Sequence, residues 1–168
     1  MATGPMPSFV ADRMRHAPRS RATRAAPESA GKLVHRFPVR VYYEDTDAAG
    51  LVYYANYLKF AERARTEMLR EGGADHAELL TSTGLGFVVR HAAIDYLKPA
   101  RLDDLLRVET RVVACGGATL ELRQDVLRDC DMLVRMTIEL ALVNKTGRPA
   151  RLPAALRAAL SEICQSQE

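Results

Sequence analysis

The side chains that could carry chemistry are concentrated in one short stretch, residues 42–57. It reads YYEDTDAAGLVYYANY and holds five of the chain's six tyrosines, together with the acids Glu44, Asp45 and Asp47. Gly50 follows in a turn-rich segment that leads into a helical pattern. A carboxylate just before a helix can lie beside the exposed backbone N–H groups of the helix N-terminus. The stretch therefore brings a carboxylate, Asp47, close to a set of free hydrogen-bond donors.

This combination is suited to acyl transfer. The N–H groups can stabilise an oxyanion that develops on a carbonyl oxygen, and the carboxylate can act as nucleophile or as base. A structural interpretation is also open, in which Asp45 and Asp47 cap the helix and the tyrosines pack against it. From spacing alone the structural interpretation is the stronger one.

Other kinds of site lack their signatures in this sequence. There is no G-x-S-x-G elbow, no Walker loop and no H-E-x-x-H pair, and GLGFVV at 84–89 lacks the third glycine of a dinucleotide-binding loop. The cysteines, Cys115, Cys130 and Cys164, form no CxxC pair. Their odd number and wide spacing argue against zinc and disulfides and favour a reducing, cytoplasmic setting. We therefore expect no cofactor.

The elements around this stretch form an α+β pattern. Alternating apolar residues predict a strand over Phe37–Tyr43, and three- and four-residue spacing predicts a helix from about Tyr54 to Glu71, ended by Gly72 and Gly73. The remaining predicted elements are a short helix near Ala74–Thr83, the strands Phe87–Leu97, Leu105–Ala114, Thr119–Arg128 and Met132–Val143, and a helix over Pro153–Cys164. Short turns between the strands favour an antiparallel sheet, packed against one long helix.

Charge divides the chain into two parts. The 168 residues carry a formal net charge of +3. Residues 1–32 hold six Lys or Arg and two acids, which is +4, so residues 33–168 carry −1. We predict a basic disordered tail over 1–32 and one domain over 33–168. Clustered arginines without interleaved aromatics occur only in the tail, which argues against nucleic-acid binding, and no apolar run reaches the ~18–20 residues of a membrane span.

Residues 41–69, VYYEDTDAAGLVYYANYLKFAERARTEML, resemble the signature of the 4-hydroxybenzoyl-CoA thioesterase family. Within that family they are most similar to the YbgC-like branch associated with the tol-pal system, and the resemblance covers about residues 35–155. It implies a hotdog fold, in which an antiparallel sheet of five or six strands wraps a long central helix. It also implies a homodimer or homotetramer with active sites at the subunit interface, and hydrolysis of an acyl-CoA to a free acid and coenzyme A.

The resemblance assigns roles to particular residues. Asp47 matches the family's catalytic acid, which acts as nucleophile or as general base for water. Tyr54 matches the residue whose backbone N–H polarises the thioester carbonyl, and Tyr43 matches a tyrosine near the acid. The YbgC-like branch commonly has His at the position of Tyr54, whereas hydroxybenzoyl-type enzymes have Tyr there, as this chain does. The resemblance therefore leaves two kinds of substrate open, one with a short-chain and one with an aromatic acyl group. Gly50 would let the backbone approach the acyl group closely.

Coenzyme A carries phosphates that need cations. Two Pro-containing turns offer them, with Lys98 and Arg101 in one and Arg148 and Arg151 in the other. For each residue the alternative is a solvated loop charge. The four are therefore candidate substrate-binding residues.

Rival residues and rival functions also follow from the sequence. Some hotdog thioesterases use a Glu on the central helix, where this chain has Glu62 and Glu67, although structural ion pairs with nearby arginines are expected for both. A hydratase or dehydratase acting on acyl thioesters would need a His paired with an acid, for which His91 is the candidate. A third possibility is a non-catalytic partner-binding protein of the cell-envelope or lipid-synthesis machinery.

Overall fold

The computed structural model describes residues 34–73 and 76–165, and the predicted tail over 1–32 lies outside these ranges. The described residues form one five-stranded antiparallel sheet with three α-helices and a 3-10 turn. In chain order the elements are β1 (His35–Arg40), the 3-10 turn (Tyr43–Asp45), α1 (Asn56–Glu71), α2 (His76–Thr83), β2 (Gly86–Tyr96), β3 (Leu105–Cys115), β4 (Thr119–Arg128), β5 (Asp131–Val143) and α3 (Ala154–Gln165).

The strands lie in the order β1-β3-β4-β5-β2. β3, β4 and β5 are consecutive hairpin strands and form the centre of the sheet, as their short connecting turns predict. β1 and β2 pair with β3 and β5 respectively and occupy the two edges. The chain therefore leaves one edge of the sheet after β1, passes through α1, and returns at the opposite edge.

α1 lies against the inner face of the sheet, where it packs on β1, β3 and β4. Its predicted apolar face is confirmed, because Phe60, Ala61 and Ala64 are fully buried. The two alanines allow the sheet to approach the helix axis closely. Gly72 donates its N–H to the carbonyl of Met68, and Gly73 has φ +77°, so the helix ends at the predicted glycines.

One predicted boundary is wrong, and another is shifted by two residues. β1 ends at Arg40 instead of continuing to Tyr43, because its partner β3 begins at Leu105, opposite Arg40. Beyond that point the Asp45 carboxylate accepts the Tyr42 N–H, which turns the chain into the 3-10 segment. α1 begins at Asn56 and not at Tyr54, because residues 54 and 55 form the turn that precedes the helix.

The other strands and the final helix agree with the predicted ones to within one or two residues. The short helix is found over His76–Thr83, and the first two residues predicted for it, 74 and 75, lie outside the described ranges. β4 is found over Thr119–Arg128 as predicted, and the final helix runs over Ala154–Gln165. Leu156 and Leu160 of that helix are buried and close the core beside β3. Within the described ranges no helix is long and apolar enough to cross a membrane.

Candidate active site

Asp47 lies at the tip of a short hairpin, residues 45–53, which we call the site hairpin. Its Oδ1 accepts the backbone N–H of Ala49 (2.8 Å) and of Leu51 (3.3 Å). In the described part of the chain Oδ2 accepts no hydrogen bond, and the side chain is exposed. The turn thus fixes the carboxylate through one oxygen and leaves the other for a water or a substrate.

Gly50 makes this turn possible. Its φ is +71°, a conformation that costs little only for glycine, and its N–H donates to the Asp47 carbonyl at 2.9 Å. Apart from Gly50 itself and its two chain neighbours, no protein atom would lie within 4 Å of a Cβ placed on Gly50, so the backbone faces open space here. Its predicted role in letting an acyl group approach stays a prediction.

Neither acid caps α1, so the structural interpretation of Asp45 and Asp47 is wrong. The N-cap residue is Ala55, and no side chain caps the helix. The buried Asp45 uses its carboxylate on the Tyr42 N–H, and its carbonyl oxygen accepts both the Tyr53 N–H and the Asn56 side-chain amide, each at 2.9 Å. The backbone of Asp45, and not its carboxylate, therefore anchors the start of the helix to the site hairpin.

Tyr54 lies just past the base of the site hairpin, in the turn that leads into α1. Its backbone N–H has no acceptor within the described ranges, and the residue is 61% exposed. The preceding carbonyl, that of Tyr53, accepts the Asn56 N–H at 2.8 Å. Because the Tyr53 carbonyl and the Tyr54 N–H belong to one peptide plane, this bond directs the Tyr54 N–H away from the helix. The structure thus leaves a free donor where the resemblance implies one.

Tyr43 lies in the 3-10 turn and is 83% exposed. Its carbonyl oxygen accepts the hydroxyl of Thr46 at 3.0 Å, which joins the turn to the site hairpin. Its own hydroxyl makes no hydrogen bond within the described ranges. A role for the Tyr43 side chain near the acid stays a prediction.

The loop that carries Lys98 and Arg101 is attached to the site hairpin. Arg101 pairs with Leu51 in an isolated β-bridge, and the Val52 N–H donates to the Ala100 carbonyl at 2.9 Å. Lys98 forms an ion pair with Asp131 (2.6 Å), which lowers the pKa of that carboxyl. Both cations therefore lie at the same end of the sheet as Asp47.

Arg148 and Arg151 lie at the other end of the sheet. Pro149 pairs with Val143, the last residue of β5, whereas the partner of Lys98 is Asp131, the first residue of that strand. Thirteen residues of strand span about 40 Å. Within one chain the structure thus brings one predicted cation pair to the site and separates the other from it.

Four tyrosine rings meet beside the free N–H of Tyr54, and we call them the tyrosine cluster: Tyr53, Tyr54, Tyr57 and Tyr96. Ring centroids lie 4.6 Å apart for Tyr53 and Tyr54, and 6.3 Å apart for Tyr54 and Tyr96. Burial raises the pKa of Tyr57, whose oxygen accepts the Ala100 N–H at 2.9 Å. Sequence reasoning missed Tyr96, although it is the one tyrosine outside residues 42–57 and lies two residues before Lys98.

The rival catalytic candidates lie outside the site hairpin, Glu62 and Glu67 on α1 and His91 on β2. The ion pair expected for Glu67 is found, although its partner is Arg70 and not the neighbouring Arg65. The ion pair expected for Glu62 is not found among the described residues, where Glu62 accepts a hydrogen bond from Thr66 (2.9 Å). His91 is exposed on β2 and pairs across the sheet with Glu139. Among the described residues no group of three or more His, Cys, Asp or Glu side chains could hold a metal ion.

Comparisons with known proteins agree with this picture. Residues 41–160 match the model of the Thioesterase-like superfamily. The chain is 48% identical over 128 residues to the acyl-CoA thioesterase YbgC of Haemophilus influenzae, covering 76% of this chain and 94% of that protein. It is 48% identical over 92 residues to the acyl-CoA thioester hydrolase YbgC of Escherichia coli O6:H1, covering 55% of this chain and 68% of that protein.

A solved structure shows the same architecture. The probable thioesterase from Bartonella henselae superimposes with a TM-score of 0.70 at 43% sequence identity, covering 72% of this chain and all of that one. The predicted α+β hotdog fold is confirmed. The chain belongs to the Thioesterase-like superfamily and, within it, to the YbgC-like branch of the 4-hydroxybenzoyl-CoA thioesterase family.

Proposed function

We propose that this protein hydrolyses acyl-CoA thioesters to a free acid and coenzyme A. The observation that carries the proposal is the site hairpin. Only one oxygen of its Asp47 carboxylate accepts hydrogen bonds from the turn, and the N–H of Tyr54, just past the base of the hairpin, has no acceptor within the described ranges. A carboxylate oxygen and an N–H donor are the two groups that hydrolysis of a thioester requires. The names of the relatives, acyl-CoA thioesterase and acyl-CoA thioester hydrolase, support the same reaction.

The reaction divides into two steps at these groups. Asp47 Oδ2 either attacks the thioester carbonyl carbon or removes a proton from a water that attacks it, and the carbonyl oxygen becomes an oxyanion that accepts the Tyr54 N–H. The oxyanion then collapses, the carbon–sulfur bond breaks, and the thiolate of coenzyme A leaves and takes up a proton. If Asp47 is the nucleophile, water hydrolyses the resulting anhydride and regenerates the carboxylate. Loss of one oxyanion donor typically costs ~10²–10³ in rate, so Tyr54 is nearly as important as Asp47.

In this proposal, the cations that bind the phosphates of one coenzyme A come from two copies of the chain. Lys98 and Arg101, whose loop is attached to the site hairpin, would bind coenzyme A phosphates within the same chain. Arg148 and Arg151 lie at the opposite end of β5, so they could reach that coenzyme A only from a second copy. An active site at a subunit interface would satisfy both predictions.

The sheet offers a surface for a second copy. β2 is an edge strand, and two of the side chains that it directs inward, Val89 and Tyr96, are 52% and 47% exposed. Phe87 and Ile94, on the same face, are only partly buried against the core. A groove of about 370 Å³ lies between β2 and α1, lined by Leu58, Val89, Ala92 and Ile138 among others. Exposed apolar surface beside an unpaired edge strand is typical of a protein–protein interface. We therefore propose a homodimer formed through β2, with a homotetramer as the larger alternative.

The acyl group of the substrate is proposed to be short or aromatic. The exposed rings of Tyr53 and Tyr54 lie beside the N–H that would polarise the thioester, and they offer apolar contact to a small or flat group. A cytoplasmic setting and association with cell-envelope or lipid-synthesis proteins stay predictions from the sequence.

The test compares two carboxylate substitutions in the hairpin with two on α1. Asp47→Asn keeps an oxygen for the Ala49 and Leu51 N–H groups but removes the nucleophile or base, so we expect kcat to fall by about 10²–10⁴. Asp47→Ala should lose at least as much, and Glu62→Gln and Glu67→Gln should stay within about threefold. Thiol release is measured on a panel of short-chain, long-chain and aromatic acyl-CoAs. Full activity of Asp47→Ala would refute the assignment, and a wild-type protein inactive on the whole panel would refute hydrolysis.

A further inference from the structure

We propose that Tyr96 is a positioning residue for this site, and that it acts through the backbone of Tyr54. The proposal rests on the proposed function, because it concerns how the donor of that reaction is held. Tyr96 is the last residue of β2, and its hydroxyl donates a hydrogen bond to the Tyr54 carbonyl oxygen at 3.1 Å. It is thus a side chain from the sheet that fixes the turn before α1.

The start of α1 needs such a contact, because its own sequence supplies no side-chain cap. Ala55 occupies the N-cap position, where Ser, Thr, Asp or Asn would normally bond to the first turn. Two bonds to the Asp45 carbonyl, from Tyr53 and Asn56, hold the side of the turn that faces the site hairpin. On the side facing the sheet, Tyr96 makes the hydrogen bond to the Tyr54 carbonyl.

The two bonds around Tyr54 act on successive peptide groups. The Asn56 N–H holds the Tyr53 carbonyl, which shares a peptide plane with the Tyr54 N–H. Tyr96 holds the next peptide group through the Tyr54 carbonyl. With both planes fixed, the φ and ψ angles of Tyr54 are constrained and its N–H keeps one direction, as an oxyanion donor must.

Ring contacts keep the Tyr96 hydroxyl in place. The Tyr96 ring lies edge-on to Tyr54 (89° between planes) and to Tyr57, whose ring centroid is 5.9 Å away. Tyr57 in turn accepts the Ala100 N–H, in the loop that carries Lys98 and Arg101. Tyr96 therefore connects the proposed oxyanion donor to the loop that carries the proposed phosphate-binding cations.

The test is Tyr96→Phe, which removes the hydroxyl and keeps the ring. A net hydrogen bond of about 1 kcal/mol corresponds to roughly fivefold in an equilibrium, and a misplaced donor adds to the loss, so we expect kcat to fall by about 5- to 30-fold. KM should stay within about twofold, because the bond that is lost is the one to the Tyr54 carbonyl, and the ring that faces the site is kept. Tyr42→Phe is the matched control, since the Tyr42 hydroxyl is exposed and makes no hydrogen bond within the described ranges. That variant should keep both constants.

Each outcome of this test either supports or overturns the positioning role of Tyr96. A lower kcat with unchanged KM, confined to Tyr96→Phe and with a melting temperature within about 4 °C of wild type, supports the positioning role. An unchanged kcat, a change in KM alone, or an equal fall in Tyr42→Phe would overturn it while leaving the hydrolase proposal intact. A loss of kcat matched by a large fall in melting temperature would indicate a purely structural tyrosine and would also overturn it. A wild-type protein inactive on every acyl-CoA would remove both proposals.

Discussion

The inner face of the sheet has two halves that both carry large apolar side chains and are differently covered. Under α1, the inward residues Val108 and Leu122 of β3 and β4 are fully buried. On β2, the inward residues Val89 and Tyr96 are 52% and 47% exposed. We call these the covered half and the open half. Both halves carry apolar side chains of similar size, such as Val108 and Val89, so the position of α1, and not local hydrophobicity, decides which surface becomes core and which stays available.

The proposed site lies at the boundary between the halves. Tyr54 lies in the turn that precedes α1, the helix over the covered half, and Tyr96 is the last residue of β2, the strand of the open half. Their hydrogen bond joins the two regions at the place where a substrate would bind. Under the proposed function, the covered half supplies stability, whereas the open half would supply the surface for a second copy and the second wall of the site.

The largest effect on stability is expected at the centre of the covered half. Phe60 is fully buried and lies edge-on to Tyr57. Phe60→Ala should lower the free energy of unfolding by about 3–5 kcal/mol, because it removes a large apolar side chain and leaves a cavity. Urea unfolding at fixed protein concentration measures it. Leu58→Ala, two residues earlier and 36% exposed, is the control and should cost less than half as much.

The sequence predicts the covered half well because its information is local. The spacing of Phe60, Ala61 and Ala64 defines the buried face of α1, and the stop at Gly72 follows from residue type alone. The site hairpin is also visible, since its acids, glycine and tyrosines lie in one stretch. Tyr96 could not be placed from spacing, because it reaches Tyr54 only when β2 pairs with β5 at the far edge. The predicted end of β1 failed for the same reason, since β3 decides where β1 ends.

A second expected effect tests the polar part of the covered half. The fully buried Gln124 donates to the Ala61 carbonyl and the Thr110 hydroxyl, each at 2.9 Å, and accepts from the Arg65 guanidinium at 2.8 Å. Burial lowers the pKa of Arg65, so this acceptor matters. Gln124→Leu should cost about 2 kcal/mol of unfolding free energy, because hydrogen bonds to charged groups contribute roughly 1.5–3 kcal/mol.

A double variant tells whether the loss belongs to the contact. Arg65→Met in the Gln124→Leu background removes the unpaired guanidinium, so the pair together should cost less than the sum of the two single changes. Urea unfolding of all four proteins completes the cycle. Strict additivity would show that Gln124 and Arg65 contribute independently.

The smallest effect on the stability of a single chain is expected in the open half. A change there is also the most direct test of whether the two halves differ in role. Val89→Asp alters an exposed side chain, so the free energy of unfolding of the monomer should change by less than about 0.5 kcal/mol. The same change puts a charge into the proposed β2 interface. Wild-type melting temperature should therefore rise with protein concentration, as it does when association stabilises the folded state, and that of Val89→Asp should not.

The neighbouring valine provides the control. Val88 is 45% exposed on the same strand, but it pairs with Ala141, whereas Val89 pairs with the buried Leu140. Successive strand residues point to opposite faces, so Val88→Asp introduces the same charge on the outer side. In analytical ultracentrifugation Val88→Asp should have the molecular mass of the wild type, whereas Val89→Asp should have the mass of a monomer. Equal dissociation by both would mean that the edge of β2 and not its inward face forms the contact. No effect of either would mean that the open half is not an interface, and the two halves would then differ in burial without differing in role.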